Sequence, residues 1–266
     1  MCRQLPKRTG SKYDKIGWKE KVEVLNVKRK GKMLDTEIHS SYLNEVITIK
    51  WYQPEAFTPM MKYQICLMQD GNDYFQLGRI ATLSDQLHDE AEIEPTIFVG
   101  IHYNDKNDRQ NKYHPNGSKQ SAYIQFLLKE VIPFLDSELP THQMASSRTI
   151  MGDSLAGTLA FMTALQFPHT FGKVIMQSPY VDQKVMNLLA DSHNLESLSI
   201  YHTIGNEETD VRTTSGVVQD FLTPNRLLAD QLHDRNCEYT YHEFDGHHSW
   251  KYWQPDLPRA LRLMLS

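Results

Sequence analysis

RTIMGDSLAGTLAFMTALQF, residues 148–167, starts as a short apolar strand, turns through small residues and runs on as an apolar helix. The turn holds Gly152-Asp153-Ser154-Leu155-Ala156-Gly157. A serine on a sharp strand-to-helix turn needs small neighbours, because the two backbones approach closely there. The helix that follows aims its first N–H groups at any negative charge developing beside the hydroxyl. The usual spacing is G-x-S-x-G; here Ala156 takes the second glycine position, adding one methyl, and Gly157 stands next to it. A serine after a strand is also the ordinary N-cap of a helix. Ser154 is therefore a candidate nucleophile only if the rest of the chain supplies its partners.

Outward from this turn, runs rich in Val, Ile and Tyr alternate with helical stretches. They are VITIKW (46–51), YQICLMQ (63–69), TIFVGI (96–101), KVIMQS (173–178), SLSIYHTIG (197–205) and EYTYHEF (238–244). With RTIMG (148–152) they predict an α/β fold, a mainly parallel central sheet of about eight strands with helices on both faces. VEVLNV (22–27) is expected to add an antiparallel edge strand. In SAYIQFLLKEVIPFLDSEL (121–139), Tyr123, Phe126, Leu127, Val131, Phe134 and Leu135 recur every three or four residues, and Pro133 is expected to kink the helix. Thr223 and Pro224 read as N-cap and first helical position, ahead of a stripe of Leu227, Leu228 and Leu232. The polar stretch 102–120 is too long and too rich in turn residues for a bare connector, and is expected to be a structured loop over a site.

A chain of 266 residues suits one large domain. The expected division is a polar extension, 1–20, and a single domain, 21–266. With 40% apolar and 23% charged residues the composition is that of an ordinary folded protein. The formal net charge of −5 leaves no protein-wide field for nucleic acid, and the local excess of Lys and Arg from Arg3 to Lys32 reads as solvated surface. No run approaches the roughly 18 apolar residues of a membrane span, and the N-terminal residues lack the apolar core of a signal peptide. The expectation is a cytoplasmic protein with no membrane partner. Three cysteines without CxxC spacing argue against a disulfide framework or a zinc knuckle, and Cys66, in an apolar run, reads as core.

A serine nucleophile needs an imidazole to take its proton and an acid to fix the imidazole tautomer. Two late strands deliver both. After SLSIYHTIG come Asn206-Glu207-Glu208-Thr209-Asp210, and after EYTYHEF come Asp245-Gly246-His247-His248-Ser249-Trp250. Glu207, Glu208 and Asp210 compete for the acid. Adjacent histidines point in different directions and no HExxH spacing occurs, so no metal is expected.

At these residues the chain resembles the family of putative esterases typified by enterochelin esterases and esterase D, a branch of the α/β-hydrolases, over residues 40–266. The resemblance rests on the strand followed by Gln69-Asp70-Gly71-Asn72, on the Ser154 turn, and on Gly246-His247-His248-Ser249-Trp250-Lys251-Tyr252-Trp253, which looks like the family's G-G-H-D-W-x-x-W. Matching the two tryptophans makes His248 the base and puts His247 where the family has glycine. Spacing from Gly205 points to Glu208 as the acid, with Glu207 and Asp210 as alternatives. The resemblance implies an α/β-hydrolase fold and a serine carboxylic-ester hydrolase working through an acyl-enzyme on a small or medium ester, without a cofactor. It implies that the N–H groups of Leu155 and Asn72 hold the oxyanion. Asp105, Arg109, Tyr113 and Pro115 echo a polar stretch above the family's active site, so Arg109 and Tyr113 become candidate substrate contacts. An internal Arg–Asp pair would account for the same stretch. Trp250 and Trp253 could wall the pocket or merely pack.

Two further readings compete. The string Gly152-Asp153-Ser154-Leu155 with Asp245-x-x-His248 also fits the GDSL esterases. In that family the serine follows the first strand, whereas here several strands precede it and too little chain follows. A non-catalytic binding protein on the same scaffold is the other. Such a protein would be free to lose its serine or histidine, and this chain keeps both.

Overall fold

The computed structural model describes residues 29–193, 195–214 and 216–266; the expected extension 1–20 and edge strand 22–27 lie outside them. In chain order the elements are β1 (Lys32–Ser40), β2 (Glu45–Gln53), β3 (Gln64–Gln69), α1 (Gly71–Gln76), α2 (Ile80–Asp89), β4 (Thr96–Ile101), α3 (Lys106–Tyr113), α4 (Gln120–Phe126), α5 (Ile132–Glu138), β5 (Arg148–Asp153), α6 (Ser154–Gln166), β6 (Lys173–Gln177), α7 (Gln183–Asp191), β7 (Ser199–Gly205), β8 (Val211–Arg212), β9 (Val218–Gln219), α8 (Leu222–His233), β10 (Glu238–Phe244) and α9 (Trp250–Leu265). Eight strands form one sheet in the order β1-β2-β4-β3-β5-β6-β7-β10, and β8 and β9 form a small separate ribbon. β1 pairs antiparallel with β2, and β2 antiparallel with β4; every pairing from β4 onward is parallel.

The central strands are buried on both faces, and their alternation sorts side chains into two cores. Ile65, Leu67, Ile150, Val174 and Met176 face one core, whose helical contributors include α4, α6 and α8. Cys66, Met68, Met151 and Ile175 face the other, roofed by α2 and α9. Truncating such a leucine or isoleucine to alanine typically costs ~2–5 kcal/mol. Helix α6 is buried from Leu155 through Leu165, so it is apolar all round rather than striped. That places the turn at Ser154 on a rigid pedestal, between the fifth strand of the chain and its most enclosed helix. The order of strands before Ser154 separates this fold from one whose serine follows the first strand.

Several local expectations shift. β1 supplies an antiparallel edge to the sheet. The helix carrying Pro133 is interrupted by a π-turn over Leu127–Val131 before α5 resumes. Pro133 has no N–H to give to the carbonyl four residues back, and widening the turn accommodates that loss. Helix α8 starts at Leu222, with Phe221 in the N-cap position. Asp220 accepts from the Thr223 N–H at 3.1 Å, so Thr223 lies inside the helix and is not its cap. Leu228 and Leu232 are buried, but Leu227 is 55% exposed. The stretch 102–120 contains α3, capped by Asp105 through the N–H groups of Asn107 and Asp108. Among the described residues no helix is long and apolar enough to cross a membrane.

Candidate active site

Parallel strands deliver their C-terminal ends to one edge of the sheet, where the loops that follow them meet. Ser154 follows β5, Asp70 follows β3, Ser178 follows β6, Glu208 follows β7 and His248 follows β10. Ser154 sits at φ 51°, in the left-handed region that a non-glycine residue enters at a cost. Two glycines make the turn possible. A Cβ on Gly152 would lie 2.4 Å from the carbonyl carbon of Ala156, and one on Gly157 would lie 2.9 Å from the Gly152 oxygen. Ala156 is tolerated at the usual second glycine position and is fully buried.

The serine hydroxyl donates to His248 Nε2 at 2.8 Å, and His248 Nδ1 donates to Glu208 Oε2 at 2.5 Å. A carboxylate only accepts, so this second bond puts the ring proton on Nδ1 and leaves Nε2 free to accept. The His248 ring is held edge-on between Trp253 and Phe221, with centroids 4.8 and 4.7 Å away.

The Glu208 side chain is fully buried and fully engaged. Its Oε1 accepts from Ser178 Oγ at 2.6 Å and from the Gly205 N–H at 2.9 Å. Ser178 Oγ in turn accepts from Trp253 Nε1 at 2.8 Å. Because indole nitrogen only donates, this fixes the direction of the chain: Trp253 to Ser178 to Glu208. The backbone carbonyl of Glu208 also accepts the N–H groups of Phe221 and Leu222, tying the Glu208 loop to the start of α8.

The competing residues lie elsewhere. His247 is exposed and pairs with the exposed Glu207 at 2.7 Å, and Asp210 is exposed. Thus the structure brings Ser154, His248 and Glu208 together and leaves Glu207, Asp210 and His247 outside. The two loops are joined by Asn206, whose Nδ2 donates to Asp245 at 2.6 Å and whose Oδ1 accepts the Gly246 N–H. Gly246 packs under the Tyr252 ring, which a Cβ would meet at 2.3 Å.

Leu155 is the second residue of α6 and Asn72 the second of α1, so both N–H groups belong to first turns, which lack intrahelical acceptors. The strands that precede them, β5 and β3, are neighbours. Asp70 makes the turn into α1 at φ 57°. Gly71 lets α1 press against β4, since a Cβ there would lie 2.4 Å from the Gly100 Cα.

The expected substrate contacts fall differently. Arg109 is 6% exposed and gripped by Asp70, with Nε and Nη2 donating to Oδ2 at 2.9 and 2.6 Å. Burial works to lower its pKa, but the charge and hydrogen bonds of Asp70 outweigh that and hold it above the ordinary arginine value. Tyr113 is fully buried against Tyr103 and Tyr123. Trp250 packs edge-on to Tyr74 at 4.8 Å and against Gly78. Arg109 and Tyr113 are thus buried in internal contacts, and Trp250 is half-buried against Tyr74. The internal Arg–Asp pair exists, although its acid is Asp70 and not Asp105.

Sequence reading missed Ser178, Phe221 and the identity of Asp70 as the acid that pairs with Arg109. Ser178 closes the run KVIMQS, and a polar residue at the end of a parallel strand is the signal that could have drawn attention to it. One further carboxyl stands beside Ser154. Asp153 is 5% exposed, and its Oδ1 has no partner among the described residues. Burial, reinforced by the negative charge of Asp70, pushes its pKa well above the carboxylate range.

The comparisons agree with this architecture. Residues 40–264 match the family model described as "Putative esterase". An uncharacterized protein of Bacillus subtilis, YjcH, is 45% identical over 237 residues, covering 89% of this chain and 99% of that protein. A ferulic acid esterase superposes with a TM-score of 0.75 at 17% identity, covering 90% of this chain and 99% of the other. The enterobactin esterase FES from Shigella flexneri superposes at 0.73 with 19% identity, covering 88% of this chain and 59% of that one. At such identities the two superpositions speak to fold alone. The sheet and its helices have the α/β-hydrolase fold of the esterases they superpose on, and the family match, which spans most of the chain, makes the chain a member of the "Putative esterase" family, a carboxylic ester hydrolase.

Proposed function

We propose that the protein hydrolyses a small or medium carboxylic ester by two-step acyl transfer, with Ser154 as nucleophile, His248 as general base and acid, and Glu208 as the acid that orients and charge-balances the imidazole. In the first step the Ser154 proton passes to His248 Nε2 as Oγ bonds to the ester carbonyl carbon. The oxygen of the tetrahedral intermediate takes up negative charge, and the N–H groups of Leu155 and Asn72 receive it; one such donor is typically worth ~3–4 kcal/mol of barrier. Collapse breaks the bond to the alcohol, which leaves with the proton from His248. Water then attacks the acyl-enzyme, gives its proton to His248, and the acid departs as that proton returns to Ser154.

The observation that carries this reading is the continuous hydrogen-bonded chain from Ser154 Oγ through His248 to Glu208, with links of 2.8 and 2.5 Å. Turnover of short p-nitrophenyl esters by the parent, Ser154→Ala and His248→Ala proteins tests it. The Ser154→Ala protein is expected to lose kcat by a factor on the order of 10⁴ or more. Hydrolysis as fast as the parent's sinks the assignment. Covalent capture by a fluorophosphonate, absent in Ser154→Ala, separates an enzyme from a binding scaffold.

A further inference from the structure

Beside the loop that carries Asn72, a cavity of ≈190 Å³ opens between the end of β4 and the antiparallel strand β2. Lys50, Asn72, Gly100, His102, Tyr103 and Lys112 line it. Lys50 stands opposite Gly100 in the β2–β4 register. The missing side chain at Gly100 lets α1 approach, and Lys50 reaches across to donate from Nζ to Asn72 Oδ1 at 2.9 Å.

The charges around this space are unequal. Lys112 is buried and neutralised by Glu45 and Asp108, at 2.7 and 2.8 Å. His102 is biased toward its neutral form, because burial lowers its pKa. Lys50 is half-buried, and among the described residues no carboxylate lies within ion-pair distance of it. An ammonium offers three hydrogens, and the Asn72 oxygen takes one. A partly desolvated cation with unused donors favours an anion over water.

We propose that this cavity is a substrate subsite that takes an anionic group, such as a carboxylate, carried by the ester, with Lys50 as its counter-ion. The proposal rests on the ester-hydrolase reading and adds to it the class of ester preferred. The cavity shares Asn72 with the proposed oxyanion loop, and Lys50 stands one hydrogen bond from that loop. In the proposed pose, one arm of an ester whose carbonyl oxygen sits there extends to Lys50. Either the acyl chain or the alcohol can carry the charge.

The experiment compares kcat/KM within matched pairs. p-Nitrophenyl hemisuccinate against p-nitrophenyl pentanoate places the charge in the acyl chain. 4-Carboxyphenyl butyrate against 4-acetylphenyl butyrate places it in the alcohol. In at least one pair the parent protein is expected to prefer the anionic member about tenfold or more, the scale of a charge-assisted hydrogen bond. Lys50→Met should abolish that preference, and Lys50→Arg should keep it. Damage to the Asn72 loop lowers both members of a pair together and leaves their ratio untouched. Two ratios near one in the parent, or a preference that survives Lys50→Met, overturn the proposal. Should Lys50→Met fail to fold, the parent preference must shrink between low and high salt, and a salt-independent ratio overturns it. Failure of the underlying reading shows separately, as neutral-ester turnover that persists in Ser154→Ala.

Discussion

Glu208 and Asp153 are both carboxyl groups, 1% and 5% exposed, at the same end of the same sheet, yet the protein equips them in opposite ways. Three donors converge on Glu208: His248 Nδ1, Ser178 Oγ and the Gly205 N–H. Among the described residues one Asp153 oxygen has no partner, and the nearby cation that could have paired with it, Arg109, is committed to Asp70. Burial alone does not decide what a carboxyl does. A buried carboxylate is tolerable when donors replace the lost water, and a carboxyl without them takes up a proton instead. Glu208 is furnished with donors beside the His248 ring, and Asp153, next to Ser154, is biased toward its neutral form by burial and the charge of Asp70.

The largest expected effect breaks the comparison at Glu208. Glu208→Gln keeps the shape but replaces an acceptor that fixes the His248 tautomer with an amide that can present either end. A loss of kcat of about 10³–10⁴-fold is expected, the scale seen when the acid of such a triad becomes an amide. Glu207→Gln and Asp210→Asn should stay within about twofold of the parent, because neither side chain reaches His248. Steady-state kinetics on one p-nitrophenyl ester decides it, and three small losses would favour a Ser–His pair working without an acid.

A smaller effect sharpens the same point. Ser178→Ala removes one of the three donors to Glu208 and leaves the Trp253 Nε1–H without its acceptor. The remaining two donors keep the carboxylate in place, so kcat is expected to fall roughly tenfold with KM nearly unchanged, in keeping with one hydrogen bond to a charged group. Restoration of kcat by Ser178→Thr, which keeps the hydroxyl, would distinguish this positioning effect from a packing defect. An unchanged kcat in Ser178→Ala would show that two donors suffice.

How legible each part was in the sequence follows from how local its cause is. The strands β3 to β7 could be read because burial on both faces demands continuous Val, Ile and Met, and Ser154 because a tight turn demands Gly152 and Gly157. The pairing of His248 with Glu208 needs two loops to be tied together, and the tryptophan spacing carried that information only by resemblance. Arg109 and Tyr113 enter as candidate substrate contacts only through the resemblance, and Trp250 as a candidate pocket wall; the sequence does not say which of them pack inward. The acid that buries Arg109 is 39 residues earlier in the chain, and nothing near Arg109 announces it. Ser178 carries only the signal of its place at the end of a parallel strand; its role is not local, because its partners, Glu208 and Trp253, come from two other segments.

The smallest effect on activity is expected at Asp153, and it carries the comparison's most specific signature. The folded state holds this carboxyl protonated well above its ordinary pKa of 3.8, while the unfolded chain ionises it normally. A group whose pKa is raised by folding contributes stability that is fully present below the unfolded pKa and is lost as pH rises toward the folded one. Asp153→Asn keeps the shape and cannot ionise, so it avoids that loss. Turnover should stay within about threefold of the parent, since the amide keeps the shape and matches the neutral form that burial favours there. Urea midpoints should rise relative to the parent at pH 7, and the gap should close as the pH falls to about 4, where the unfolded parent also becomes protonated. An Asp153→Asn protein that is less stable than the parent at pH 7 would mean that Asp153 carries its charge in the fold, and the contrast with Glu208 would then collapse into one of degree.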